Sequence, residues 1–285
     1  SANNRPIQTD AFSIGWFFSS YERISRIKYL LYERDNFTVA DMIDLQHDTY
    51  SITAIELKNA FLSRARELDL NSKQSSVFEN IQAWDGYYTA DSRGALIFER
   101  FINAFCEHYY TAQGRQDDLD LWKRGRFLNI ALTEELYKID DGEASESILY
   151  GLSEAYELML KKQNWGDIHK ITLQHFLSNI PFFGRAFERF SFSTGGSLET
   201  IWKSAHEMKT EPHDSFYGSQ ARHISDMADP DENYFVLLGG QDGFIGSDHF
   251  FDQAEMWQNR DYIQVPLRLD KVRARFGSCR RFGGK

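Results

Sequence analysis

The hydrophobic pattern of this chain changes period near Gly166, and this change limits the possible folds more than any other feature. Up to residue 165 the apolar residues recur mainly three and four positions apart, which predicts helices. After Gly166 short stretches alternate between apolar and polar residues, with Gly and Pro turns between them, which predicts strands. Nothing between the blocks has the composition of a linker. We therefore predict one continuous α+β unit: a mostly helical part over 1–165, a strand-rich part over 166–267 and a basic tail over 268–285.

Several helix starts are visible in the first block. One helix is expected to begin at Ser19 or Ser20, either of which could cap it, with Arg26 on its solvent-facing side. Thr38 and Asp41 have the spacing of a capping box and open the next helix. Further helices are predicted near 53–68, 94–111, 117–138, 145–163 and 250–259, and strands near 168–173, 215–225, 234–238 and 262–267.

Composition and charge exclude several classes of protein. Aromatic residues make up 15% of the chain, enough to build a packed core and to argue against disorder. The formal net charge is −10, and because residues 268–285 carry +6, the first 267 residues carry −16. A body of that sign repels phosphate, so a nucleic-acid partner is not expected. The tail is interpreted as a solvated end, with contact to an anion as the alternative. No apolar run approaches the 18 residues of a membrane span.

The two cysteines do not define a framework. Cys106 and Cys279 lie 173 positions apart and neither belongs to a CxxC pair, so no zinc site or disulfide scaffold follows from them. A single disulfide between them stays open. Cys106 lies on the apolar side of a helical pattern and is interpreted as a buried thiol.

Metal-binding patterns are incomplete. His206-Glu207 begins like the HExxH motif, but the second histidine is absent. His169 and His175 fall on one face of a predicted strand without a third ligand, so surface or packed histidines are favoured over zinc. The oxygen-rich segment 229–233 (sequence DPDEN) has side chains that suit calcium, but this composition favours a plain turn.

Nucleotide and nucleophile motifs are similarly weak. Residues 239–243 (GGQDG) lack the GKS/T ending of a phosphate loop and are interpreted as a tight turn. No GxSxG motif occurs. Ser1 is the exception, because a serine at a true N-terminus has its own α-amine, of pKa about 7.7–8.0, as a base. Taken singly, these residues indicate only an acidic α+β domain.

An ordered set of short motifs nevertheless runs through nearly the whole chain. It comprises Asn3-Asn4-Arg5-Pro6, Tyr21-Glu22-Arg23-Ile24, the segment 38–51, Trp84-Asp85-Gly86, Trp165-Gly166, Gly195-Gly196 before Thr200, the segment 218–231, Gly239-Gly240-Gln241-Asp242-Gly243 and His249 with Asp252-Gln253. From Asn3 to about Pro266 this order resembles the C-terminal half of the large subunit of the penicillin acylase (penicillin amidase) family.

The resemblance implies a fragment of the four-layer αββα fold of N-terminal-nucleophile hydrolases. In that family the precursor cuts itself, and the new N-terminal serine of the large subunit attacks an amide to give an acyl-enzyme. The family serine lies well upstream of the Asn-Asn segment and is followed by asparagine, whereas Ser1 here is followed by Ala2. The resemblance thus implies that the nucleophile is not in this chain, which alone is expected to be inactive. A shortened variant that uses Ser1, and a non-catalytic scaffold or dimerising piece, are the alternatives.

The resemblance also implies roles for particular residues. Asn3 matches an asparagine whose amide helps to form the oxyanion hole, and Arg23 matches an arginine that orients this asparagine and the polar end of the substrate. His249, Asp252 and Gln253 match a C-terminal motif that we interpret as structural. The family's calcium ligands come mostly from regions outside this chain. Asp10 is the only nearby acid, so no metal is expected here and calcium is possible in the full enzyme.

Substrate, partners and location follow from the same resemblance. Relatives hydrolyse β-lactam amides or N-acyl homoserine lactones, which links the family to antibiotic resistance and quorum quenching. The expected partners are the remaining segments of the same processed zymogen, and the fragment is expected to self-associate. A periplasmic or secreted location is expected.

Overall fold

The computed structural model describes residues 2–5, 18–124, 129–182, 184, 187, 189–209, 211–244 and 246–278. The chain divides into two compact units, each built from three separate segments. Unit 1 consists of Ser1–Glu33, Asp48–Thr172 and Ser191–Gly218, and unit 2 of Arg34–His47, Leu173–Phe190 and Ser219–Lys285. The division predicted at residue 165 falls inside unit 1. Residues Ser1, Asp10 and Cys279 lie outside the described ranges.

Helices dominate unit 1. They are α1 (Glu22–Tyr32), α3 (Ile52–Ala65), α4 (Ser72–Ala83), α5 (Arg93–Ala112), α6 (Gln116–Lys123), α7 (Asn129–Leu136), α8 (Asp141–Met159) and α9 (Trp165–Ile168). The helix predicted near 117–138 corresponds to two helices, α6 and α7. The helix α4 was not predicted from the pattern. Within the described ranges, no helix is both long enough and apolar enough to cross a membrane.

Unit 2 contains α2 (Val39–Gln46), α10 (Ala254–Asn259) and α11 (Leu269–Arg275), together with the short 3-10 helix Phe176–Asn179. The predicted capping box is confirmed, because Thr38 accepts from the Asp41 backbone N–H and Asp41 accepts from that of Thr38. The helix α11 begins inside the predicted solvated tail. Its first turn is held by Asp231, which accepts from the backbone N–H of Arg268 at 2.8 Å and pairs with Lys271 at 2.8 Å.

The core of unit 1 forms around α5, which is buried along most of its length. Phe61 of α3 meets Phe101 and Phe105 of α5 edge to face, with ring centroids 4.9 and 4.7 Å apart. Gly151 lets α8 approach α5 closely, since a Cβ there would lie 3.0 Å from the carbonyl oxygen of Phe101. Cys106 lies fully buried in this core, as predicted, and burial raises its pKa well above the ordinary value.

Two separate sheets complete the architecture. The strands are β1 (His169–Gln174), β2 (Arg189–Ser193), β3 (Ser204–His206), β4 (His213–Gly218), β5 (Ala221–Ser225), β6 (Asn233–Leu237) and β7 (Ile263–Gln264). The first sheet has the order β2-β1-β4-β3, with β1 and β4 parallel and β3 and β4 antiparallel. The second is the antiparallel sheet β5-β6-β7. The α+β class is therefore confirmed, and the four-layer arrangement stays a prediction.

Candidate active site

The two residues singled out by the sequence, Asn3 and Arg23, lie together in unit 1. The backbone returns to residue 3 after the segment 6–17, because the N–H of Ser19 donates to the carbonyl oxygen of Asn3 at 2.8 Å. Helix α1 then begins at Glu22, so Arg23 lies in its first turn. The side chains of Asn3 and Arg23, which are 20 positions apart in the sequence, therefore meet.

The guanidinium of Arg23 is the centre of this arrangement. Its Nη2 donates to the carbonyl oxygen of Ala2 at 2.6 Å, to Asn3 Oδ1 at 3.1 Å and to Ser19 Oγ at 3.1 Å. Its Nε lies 3.7 Å from Glu199 Oε2. A guanidinium has only donors, so the oxygen of the Asn3 amide must face it. The amide nitrogen of Asn3 then points away from Arg23.

Helix α1 begins later than predicted, and Ser19 is therefore available to contact Arg23. We expected Ser19 or Ser20 to cap α1, but Tyr21 precedes the helix and makes no side-chain cap. Ser19 instead uses its hydroxyl as an acceptor for Arg23. The prediction of a serine cap is therefore wrong.

The backbone of Asn3 is in an uncommon conformation. Its φ is +62°, in the left-handed region that asparagine enters more readily than most side chains. Asn3 is exposed, whereas the preceding Ala2 is buried. Among the described residues, no acceptor takes the Asn3 amide nitrogen, so this N–H pair is free to donate to a molecule that binds there.

A glycine-containing turn supplies the acid beside Arg23. Gly196 has a φ of +82°, and a Cβ there would lie 2.1 Å from the carbonyl oxygen of Trp202, so only glycine fits. The turn is closed by Thr200 Oγ1, which accepts from the Ser197 N–H at 2.9 Å. This geometry places Glu199 between Arg23 and a second cation.

That second cation is Lys203, whose Nζ lies 3.6 Å from Glu199 Oε1. The side chains of Arg23, Glu199 and Lys203 are only 13–15% exposed. Burial lowers the pKa of Lys203, and the neighbouring Glu199 opposes this effect. Two cations and one carboxylate therefore lie within one partly buried cluster behind Asn3.

A further acid, Glu22, lies beside Arg23 in sequence and is 2% exposed. Burial, together with the nearby charge of Glu199, raises its pKa to about 8 against the opposing effect of the Thr53 hydroxyl. The carboxyl group is therefore mostly protonated at neutral pH. Sequence reasoning did not single out Glu22 or Glu199, although both fall within the quoted motifs.

The histidines once considered for zinc are packed side chains. His206 and His169 are completely buried in unit 1, with ring centroids 4.9 Å apart, and His169 stacks on Trp165 at 4.5 Å. His175 belongs to unit 2, where its ring nitrogen accepts from the Leu177 N–H. Among the residues that the structure describes, no group of three or more His, Cys, Asp or Glu side chains could hold a metal ion.

The oxygen-rich segment 229–233 forms a turn in unit 2. The carboxylate of Asp231 is fully buried and accepts from backbone N–H groups and from Arg268 and Lys271. Asp229 accepts from the Asp231 N–H at 3.0 Å and pairs with Arg268 at 2.7 Å. These oxygens bind protein donors, which agrees with the turn rather than with a calcium loop.

The C-terminal motif of unit 2 also makes structural contacts. His249 Nδ1 and Asp252 Oδ2 are 2.9 Å apart, and Gln253 Oε1 accepts from the Leu237 N–H at 2.9 Å. A Cβ at Gly240 would lie 1.9 Å from the carbonyl oxygen of His249, so the backbone passes too close for another residue. These contacts fit the interpretation of the motif as structural.

Comparison with known proteins identifies the family of this chain. The penicillin amidase family model matches residues 1–274, and the chain belongs to this family. The acyl-homoserine lactone acylase QuiP of Pseudomonas aeruginosa is 22% identical over 95% of this chain and 38% of its own length. The penicillin acylase 2 proenzyme of Pseudomonas sp. strain SE83 is 24% identical over 88% of this chain and 34% of its own length.

A solved structure shows the same fold. The thermostable penicillin G acylase from Alcaligenes faecalis matches 99% of this chain and 56% of its own chain, with a TM-score of 0.54 and 13% identity. The chain thus spans little more than a third of the two curated relatives. At this identity the structural likeness supports the fold and leaves the residue roles to the geometry above.

Proposed function

We propose that this chain is part of an acylase that hydrolyses the amide bond of an acylated amine, and that it supplies the oxyanion donor Asn3. The observation that carries the proposal is the contact between Arg23 Nη2 and Asn3 Oδ1 at 3.1 Å. It fixes the direction of the Asn3 amide before substrate binds. A donor held in place in this way stabilises developing charge without reorganisation.

The proposed step is the attack of a nucleophile on the amide carbonyl. The carbonyl oxygen gains negative charge as the tetrahedral intermediate forms, and the Asn3 Nδ2–H donates to it. One such donor is typically worth about 2.7–4 kcal/mol. Arg23 and Lys203 add positive charge behind Asn3 that is only partly balanced by Glu199. This charge favours the oxyanion over the neutral carbonyl.

We further propose that the attacking serine lies outside residues 1–285. The support is the fraction of the relatives covered, 38% and 34%, which leaves most of their length for other parts of the machinery. The alternative nucleophile is Ser1. A serine-directed acylating probe followed by mass spectrometry separates the two, since stoichiometric labelling of Ser1 would establish the shortened variant.

The proposed substrates follow the names of the relatives, one an acyl-homoserine lactone acylase and one a penicillin acylase. Both names describe an acyl group joined to an amine beside a polar ring. We therefore propose β-lactam amides and N-acyl homoserine lactones as the substrates to assay first, and a periplasmic or secreted location to be checked by cell fractionation.

Substitution of Asn3 tests the function in the protein that carries these residues together with its nucleophile. Asn3→Gly removes the amide but keeps the backbone at φ +62° free of strain, unlike Asn3→Ala. Asn3→Asp keeps the shape and the contact with Arg23 but has no N–H to donate. Both variants should lower kcat by about 10²–10³ with little change in KM.

A second asparagine provides the control. Asn80 lies in α4, and its amide donates to the Ser76 carbonyl oxygen of the same helix at 2.8 Å. Asn80→Asp therefore tests the same chemical change away from the site, and turnover should stay near the wild-type value. Wild-type kcat in both Asn3 variants, with the fold intact by circular dichroism, would overturn the assignment of Asn3 as the oxyanion donor and leave only the membership of the family.

A further inference from the structure

A small cavity lies inside unit 1, next to the Arg23–Glu199 pair, and polar groups share its lining with the apolar side chains of Trp122, Leu198 and Met208. Its walls include three carboxyl groups, those of Glu22, Glu99 and Glu199, together with the polar side chains of Ser197 and Asn129. It leaves about 10 Å³ for the centre of a water molecule. A polar cavity needs roughly 10–15 Å³ of such space to hold one water.

Several carboxyl oxygens of Glu22 and Glu99 have no hydrogen-bond partner among the described residues. Glu22 and Glu99 are 2% and 3% exposed. Among the described residues, neither oxygen of Glu22 and only one oxygen of Glu99 has a hydrogen-bond partner, the latter being the Tyr88 hydroxyl at 2.7 Å. The Thr53 hydroxyl lies near Glu22, but its oxygen also has no partner within hydrogen-bond geometry among these residues.

Buried polar groups in folded proteins are nearly always hydrogen-bonded to protein or to ordered water. A buried water commonly makes about three hydrogen bonds, and several carboxyl oxygens face this cavity. We propose that the cavity is a binding site for one water molecule, held by the carboxyl groups of Glu22 and Glu99.

The charges around the cavity decide in which form Glu22 binds this water. The titratable groups around Glu22 are Tyr21 on α1, Glu56 on α3, Tyr88 and Glu99 beside the cavity, and Glu199 and Lys203 in the turn region. Burial and the nearby acids raise the pKa of Glu22, and burial also raises the pKa of Glu99. Glu22 is thus bound as a carboxylic acid, which can donate to the water as well as accept from it.

The neutral form of Glu22 also leaves the neighbouring cluster positive. Arg23 and Lys203 carry two positive charges and Glu199 one negative charge. An ionised Glu22 would cancel the remainder. The water site itself does not depend on the proposed role of Asn3, and its test measures no turnover, so either can fail without the other.

A high-resolution crystal structure of the chain provides the direct test. We expect a density peak in the cavity within hydrogen-bond distance of Glu22 and Glu99, and no anomalous peak there after a thallium(I) soak. An empty cavity would overturn the proposal. A thallium peak would also overturn it, because it would mark a site for a monovalent cation.

Two substitutions sharpen the structural test. Glu22→Gln keeps a donor and an acceptor at the cavity, so the water should remain. Glu22→Met has similar length but no polar atoms at its end, and the water should be lost. Retention of the same density in Glu22→Met would contradict the assignment of Glu22 as a ligand.

Thermal unfolding against pH tests the protonated form on the folded wild-type protein. The folded state keeps the Glu22 proton up to about pH 8, whereas an unfolded glutamate loses it near pH 4.3, so wild-type stability should fall as pH rises between these values. Glu22→Gln has no proton to lose, so its Tm should rise relative to wild type from pH 5 to pH 8. Glu79→Gln, at an exposed position of α4, is the control and should parallel wild type. Parallel curves for wild type and Glu22→Gln would contradict the neutral form.

Discussion

Two arginines one helical turn apart on α1 have opposite surroundings. Arg26 donates from Nε and Nη2 to the two carboxylate oxygens of Asp48 at 3.1 and 2.8 Å, and its guanidinium lies 4.5 Å from the ring of Tyr50. Arg23 donates mainly to neutral oxygens and meets a carboxylate only at 3.7 Å. The charge of Arg26 is compensated in place by a bidentate pair, whereas that of Arg23 is not.

This difference separates a structural arginine from a candidate functional one. Arg26 closes a contact between α1 and the segment before α3, and its partner Asp48 also accepts from the backbone N–H of Tyr50 at 3.2 Å. Arg23 donates to the exposed side-chain amide of Asn3 and orients it, and the positive charge of Arg23 remains close to that amide. The comparison predicts that Arg26 acts on stability and Arg23 on turnover.

The largest expected effect is on stability, at Arg26. Arg26→Met keeps the length of the side chain but leaves Asp48 partly buried without its partner. Removing one member of a buried ion pair typically costs about 3–5 kcal/mol. We expect a loss of this order in the free energy of unfolding, measured by urea denaturation, while the folded fraction keeps its kcat.

The exposed pair of Arg34 and Asp41 supplies the control for this measurement. Arg34 is 57% exposed in that pair, against 11% for Arg26. Solvent screens such a pair, so Arg34→Met should change stability far less. Equal losses in the two variants would show that burial does not distinguish these arginines.

The next effect is on turnover, at Arg23. Arg23→Lys keeps the charge, but one ammonium cannot occupy both the Nη2 position, where Ala2, Asn3 and Ser19 accept, and the Nε position beside Glu199. We expect kcat to fall by about 10², since the oxyanion donor would no longer be held in place, and stability to fall by only about 1 kcal/mol.

The double variant Asn3→Gly with Arg23→Lys shows whether one residue acts through the other. If Arg23 works by orienting Asn3, the second substitution should cost little once the first is made, which gives a coupling of about 0.5–3 kcal/mol. Fully additive losses in log kcat would mean that Arg23 acts on the substrate directly.

The sequence pointed to two residues of this site, Asn3 and Arg23, because both lie in recognisable short motifs. Asn3 and Arg23 stand in short motifs whose order identified the family, and the structure places them in contact. Glu199 and Glu22 carry no motif of their own. Their importance depends on a turn around Gly196 and on a cavity, which are properties of tertiary packing that no local spacing encodes.

The burial of a charged residue was one feature that the sequence predicted wrongly. Arg26 was expected on the solvent-facing side of α1, because charged residues are mostly exposed, but it is buried and paired with Asp48. The capping box at Thr38 was predicted because its signal spans only four residues. The two compact units were missed because each consists of three segments separated in sequence. A short local pattern could therefore predict the start of α2. The association of segments that are distant in sequence could be seen only in the structure.

The smallest expected effect is at Ser19, and it tests how far the orientation of Asn3 depends on each contact of Arg23. Ser19→Ala removes one of three acceptors of Nη2 and leaves the backbone N–H that donates to Asn3. A hydrogen bond of this kind contributes about 0.5–1.5 kcal/mol, so kcat should fall by roughly threefold to tenfold. Ser20→Ala is the matched control, because the buried Ser20 hydroxyl has no partner among the described residues and its removal should leave both kcat and stability near wild type. An equal decrease in the two variants would assign the effect to the local backbone, and the contact between Ser19 and Arg23 would then have no part in holding Asn3.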